Sequence, residues 1–201
     1  GLVKIETRNE SRCERMVDAE IAVIFDMDGV LVDTFEAHFE SWNVVAPQEG
    51  AAMTRARGLE SKGYTYSYDM LGEAARTDAD ALRYARAYAD AIKAISARAT
   101  GDARTSPGIS VKLSALHPRY EWMHRDEVMR VLVPRALELA RAAARAGIGF
   151  NIDAEEAERL ELSLDLLAAL AGDADLAGWE GMGFVVQAYQ KRCPFVIDWL
   201  V

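Results

Sequence analysis

From residue 64 onward the chain alternates β-type and helical segments four times, and this rhythm restricts the fold more than any other feature. The strand segments are 64–71, 109–113, 148–152 and 184–186. The helical segments are 77–97, 126–146, 155–171 and a last one opened by Pro194. Thr77 or Asp78 is the expected N-cap of the first helix, with Leu82, Tyr84, Ala85, Tyr88, Ile92 and Ile95 on its buried side. Pro134 is expected to kink or restart the second helix, Gly147 to serve as its C′ residue and Gly172 to stop the third. Residues 98–107 and the stretch holding Gly178 and Gly181 read as loops. Such alternation, with a repeat of about 40 residues, implies parallel strands joined by right-handed helical crossovers. Both a doubly wound sheet and a (β/α)₈ barrel satisfy it.

Ahead of the repeat, residues 1–19 form a polar lead-in. Residues 21–25 form an apolar, β-rich run closed by the turn Asp26-Met27-Asp28-Gly29, and a helical stretch covers about 34–46. Residues 47–60, with Pro47 and Gly50, read as a linker. A lone strand exposes unpaired backbone groups, so the 21–25 strand is expected to pair with an open edge of the later sheet, giving five parallel strands.

Composition narrows the function classes. Hydrophobic residues at 51% and charged residues at 27% suit a globular core. A net charge of −9 without a basic stripe argues against nucleic acid as partner. Cys13 and Cys193 are far apart and form no metal-binding spacing, so two free thiols are expected, as in the cytoplasm. The charged, polar start shows no secretory signal. The most apolar stretch, 21–32, is short and interrupted by Asp26 and Asp28, so no transmembrane segment is expected.

The strand ends carry the functional signal. Asp69, Lys112, Asp153 and Gln187 each stand near the end of successive strands. Parallel βα units gather their strand ends at one rim, where ligands bind. The plainer readings are that Asp69 and Lys112 pair at the rim and that Asp153 caps the next helix. No dinucleotide-binding glycine fingerprint follows any strand, and no phosphate loop, serine-nucleophile elbow or His-Glu-x-x-His is present.

Four motifs in order carry a family resemblance. They are Gly63-Tyr64-Thr65-Tyr66-Ser67-Tyr68-Asp69-Met70-Leu71-Gly72-Glu73, Val111-Lys112-Leu113-Ser114-Ala115-Leu116-His117-Pro118-Arg119-Tyr120, Asn151-Ile152-Asp153-Ala154-Glu155-Glu156 and Gln187-Ala188-Tyr189-Gln190-Lys191-Arg192. Across residues 61–201 the chain resembles the front half of the proline dehydrogenase domain of proline utilization A, a family of bifunctional bacterial flavoenzymes.

The resemblance implies an α/β fold: four βα units of a partial, TIM-like (β/α)₈ barrel holding FAD. L-proline would be oxidised to pyrroline-5-carboxylate by hydride transfer to flavin N5, with a membrane quinone as electron acceptor. The place implied is the cytoplasm, at the periphery of the inner membrane. Lys112 resembles the active-site lysine, Asp153 and Ala154 resemble residues lining the flavin and substrate pocket, and Val185 and Gln187 resemble contacts to the isoalloxazine ring. Glu73 resembles the glutamate of an ion-pair gate over proline. The family's later strands and its substrate-clamping arginine pair find no counterpart in residues 61–201. The chain alone is therefore expected to bind FAD weakly and to oxidise proline undetectably.

A second resemblance lies at the front. Ile24-Phe25-Asp26-Met27-Asp28-Gly29-Val30-Leu31-Val32-Asp33-Thr34 resembles the first motif of the haloacid dehalogenase superfamily. It implies a strand-helix unit over 20–46, with Asp26 as phosphoryl-accepting nucleophile, Asp28 as general acid/base and both holding Mg²⁺. The later motifs of that superfamily are not found. The alternatives to proline oxidation are thus a Mg²⁺-dependent phosphatase of this type, or a chimeric or truncated product without catalysis.

Overall fold

The computed structural model describes residues 24–25, 65–70 and 74–201. Five strands occur there: β1 (Ile24–Phe25), β2 (Ser67–Asp69), β3 (Gly108–Val111), β4 (Gly149–Ile152) and β5 (Met182–Val186). The α-helices are α1 (Asp78–Ser96), α2 (Leu113–Leu116), α3 (Arg125–Ala146), α4 (Leu160–Ala171) and α5 (Cys193–Leu200).

All strand pairs are parallel, in the order β1-β5-β4-β3-β2. From β2 to β5 each strand lies beside the next in sequence. That is the winding of a (β/α)₈ barrel; a doubly wound sheet reverses its order at a switch point. The fold is α/β and corresponds to part of a TIM-like barrel. β1 adds to the free edge of β5, Ile24 opposite Val185 and Phe25 opposite Val186, as expected for a strand in need of a partner.

Alternation along the strands separates two faces. Tyr68, Ile109, Val111, Phe150, Ile152, Phe184 and Val186 are buried on the face that meets the helices. There α1 packs on α3, and α3 on α4. The opposite face carries Ser67, Asp69, Ser110, Asn151 and Asp153. Gly183 belongs to it as well: a Cβ there would run into the Asn151 carboxamide, which instead donates from Nδ2 to Ser67 Oγ at 3.0 Å. The absence of a side chain on β5 thus leaves room for a polar group that spans β4 to β2.

Helix boundaries follow local chemistry where the signal is local. Thr77 is the N-cap of α1, forming a reciprocal capping box with Asp80. Gly147 ends α3 in the left-handed region, at φ 66°. Pro194 stands in the first turn of α5.

Several expectations are corrected. α3 runs unbroken through Pro134, which costs one backbone hydrogen bond in a helix held on both sides by α1 and α4. Leu82 is 43% exposed; it sits one residue beyond buried Ala81, about 100° around the helix, off the stripe of Tyr88, Ile92 and Ile95. Leu113 belongs to α2 and not to the preceding strand. The helix placed at 155–171 begins as a 3₁₀ turn at Ala157–Arg159 and becomes α-helical at Leu160. Among the described residues no helix is long and apolar enough to cross a membrane.

Candidate active site

Each parallel strand delivers its next residue to the same rim. β3 is followed by Lys112 and β4 by Asp153. β5 is followed by Gln187, and Asp69 is the last residue of β2. The register sets Val111 opposite Ile152, so Lys112 and Asp153 emerge side by side.

Lys112 is the hub. Its ammonium donates to Asp69 Oδ2 at 2.8 Å and also to Asp153 Oδ2. Its backbone N–H donates to the Tyr88 hydroxyl at 3.1 Å. Burial works against the Lys112 charge, but hydrogen bonds and charge from Asp153 and Asp69 more than offset it. Its pKa therefore stands above the ordinary lysine value, and the group is a cation at neutral pH. Tyr88 is 1% exposed, and burial leads in pushing its phenol up to about 12. The plainer reading of Asp69 and Lys112 as a rim pair is present in the geometry, widened by Asp153 into a triad. Asp153 does not cap a helix: its Oδ1 accepts the Ala154 N–H at 2.9 Å, and the next helical turn starts beyond it.

A second layer lies beside this triad. Glu155, with its side chain 9% exposed, accepts the Ser114 N–H at 2.9 Å and a guanidinium N–H of Arg159 at 3.2 Å. Burial pushes the Glu155 carboxyl above the usual range despite these partners. Arg159 also pairs with Glu156 at 3.1 Å and lies 5.5 Å from the centre of the Tyr120 ring. Gln187 Nε2 donates to the Glu155 carbonyl at 2.9 Å, and Gln190 Nε2 donates to Gln187 Oε1. The amide at the end of β5 is thereby tied to the loop after β4.

Asp153, Ala154, Val185 and Gln187 line a narrow pocket of about 20 Å³, room for about one water. Ala154 and Gln187 also border an adjoining open cleft of about 350 Å³, with Ala74, Ser114 and Tyr189. The cleft is of a size that suits a small molecule or a cofactor ring. The small side chain of Ala154 allows a flat ring to approach, and the Gln187 carboxamide is fixed nearby. The open cleft beside Ala154 and Gln187 has room for a flavin ring. Glu73, Asp26 and Asp28 lie outside the described residues. Among the described residues no cluster of His, Cys, Asp and Glu could hold a metal ion. Cys193 is a free, buried thiol.

Sequence reasoning brought out the strand-end residues but passed over Glu155, Arg159 and the Tyr88 hydroxyl. Glu155 stands at the start of the expected helix 155–171, which begins instead at Ala157. Its position two residues past a charged strand end was the available signal.

The family described as proline dehydrogenase matches residues 52–201. The bifunctional protein PutA of Klebsiella aerogenes is 58% identical over 151 residues, covering 75% of this chain and 12% of that protein. Its Escherichia coli counterpart is 57% identical over 151 residues, covering 75% of this chain and 11% of the other. A crystal structure of bifunctional proline utilization A superimposes with a TM-score of 0.66 at 54% identity, over 69% of this chain and 14% of that one. A mutant of the Bradyrhizobium japonicum protein gives 0.65 at 55% identity, over 67% and 14%. The matched stretch thus spans only about an eighth of these relatives. These matches give the haloacid dehalogenase resemblance no support.

Proposed function

Because the chain belongs to the proline dehydrogenase family, we propose that its β2–β5 rim takes part in the FAD-dependent oxidation of L-proline to pyrroline-5-carboxylate. The observation that carries this reading is the meeting of Lys112, Asp153 and the Gln187 carboxamide at the ends of adjacent parallel strands, beside an open cleft of ligand size. Ala154, Val185 and Gln187 would hold the flavin, and Asp153 would join the flavin side of the pocket to the Lys112 cation. Glu73 would gate the substrate.

FAD, when bound, supplies the two-electron acceptor for the hydride that leaves proline C5. The chain's own residues do the rest. Lys112 is held as a cation and so acts by charge, not as a proton acceptor. The excess carboxylate charge around it favours a substrate whose ring nitrogen becomes positive as hydride departs. Buried Tyr120, Phe184 and Val185 keep water from the inner wall of the pocket. On this reading a membrane quinone would be the electron acceptor, at the cytoplasmic face of a membrane.

The reading is tested by exchanging the matched stretch of the Escherichia coli relative for residues 52–201 and following proline-dependent dye reduction. The exchanged protein is expected to keep activity within about tenfold, and Lys112→Met in it to cost at least about 100-fold. A folded, flavin-loaded exchange protein that does not oxidise proline would contradict the reading.

A further inference from the structure

The lysine at the rim is gripped from both sides of β3. β4 brings Asp153, and β2 brings Asp69, to which no role in the site has been given. The two arms differ. Asp153 is committed at both oxygens, one to Lys112 and one to the Ala154 N–H. Asp69 has only Oδ2 on the ammonium; among the described residues its Oδ1 accepts no hydrogen bond, and its side chain is 37% exposed against 22% for Asp153. From α1, the Tyr88 hydroxyl takes the Lys112 backbone N–H and fixes where the side chain departs. Among the described residues, Asp69, Asp153 and Tyr88 are the titratable groups that face Lys112 from the elements around it.

A lysine stem has four rotatable carbons, so a single carboxylate can be followed through many rotamers. Two carboxylates on opposite sides leave few. Such an arrangement costs side-chain entropy and desolvation, and it serves when the charge must stay in one place.

We propose that Asp69 is a positioning residue of this site: it acts through Lys112, pinning the ammonium against Asp153 so that a fixed cation stands beside the pocket bordered by Asp153, Ala154 and Gln187. What the pocket takes rests on the proline dehydrogenase reading; the bracket itself does not.

The test is competitive acylation of the full chain with trace acetic anhydride from about pH 7 to about pH 12, read peptide by peptide by mass spectrometry. Exposed Lys191 serves as the internal reference. In the unsubstituted chain Lys112 is expected to titrate above Lys191; a midpoint at or below it overturns the proposal even if a variant fails to fold. Asp69→Asn is expected to lower the Lys112 midpoint by about one unit and to raise its acylation at neutral pH about tenfold. Asp69→Glu should restore both. An Asn variant with unchanged circular dichroism and an unchanged Lys112 midpoint, or a Glu variant that does not restore it, overturns the proposal. FAD, added as a probe, should slow Lys112 acylation. If FAD gives no shielding while the Asp69→Asn shift remains, the flavin reading fails and the bracket stands.

Discussion

Among the described residues Glu155 is the most deeply placed carboxylate of the rim, and burial raises its pKa. Burial raises its folded pKa above the value of an unfolded glutamate, near 4.3. Protonation therefore favours the folded state. The contribution is complete below the unfolded value and is lost as pH rises through the folded one. Glu155→Gln keeps an acceptor for the Ser114 N–H and removes this dependence. Urea midpoints measured from about pH 5 to about pH 8 should fall less steeply in the variant than in the parent. Equal slopes would contradict the assignment. Asp78, Asp80 and Asp173 are shifted downward by their hydrogen-bond partners, so their opposite contribution falls at lower pH, outside this window. At this scale the sequence was most informative where topology forces an outcome. Lys112, Asp153 and Gln187 could be named because parallel strands bring their ends together. Glu155 and the Tyr88 hydroxyl could not, because their partners, the Ser114 and Lys112 N–H groups, are 41 and 24 residues away.

Among the elements, those closed by local chemistry were legible. Thr77 carries its own cap partner three residues on, and Gly147 supplies a conformation other residues adopt at a cost. Gly147 is also bound by packing: a Cβ there would meet the Gly101 Cα at 3.1 Å. Gly147→Ala should therefore destabilise by about 1–2 kcal/mol, through left-handed strain and this contact together. A urea midpoint unchanged within error would show that the turn relaxes without cost. Elements set by distant contacts were less legible. Leu113 reads as a strand residue, yet the chain turns into α2 so that Ser114 can give its N–H to Glu155. Pro134 signals a kink or a restart, yet no restart occurs: α3, packed on α1 and α4, continues through it.

For the whole molecule, the winding order decides the architecture. Alternation alone left two folds open; the succession β2-β3-β4-β5 leaves the barrel type. It also puts four strand ends on one rim, which turns scattered polar residues into a site. On the proposed function, this rim holds a flavin. This is tested most directly by titrating FAD with the purified 201-residue chain and following the quenching of flavin fluorescence. Weak but saturable quenching is expected, and Ala154→Trp, which puts an indole into the cleft, should weaken it at least about tenfold. Quenching that does not saturate, or a folded Ala154→Trp chain that binds FAD as the parent does, would contradict it.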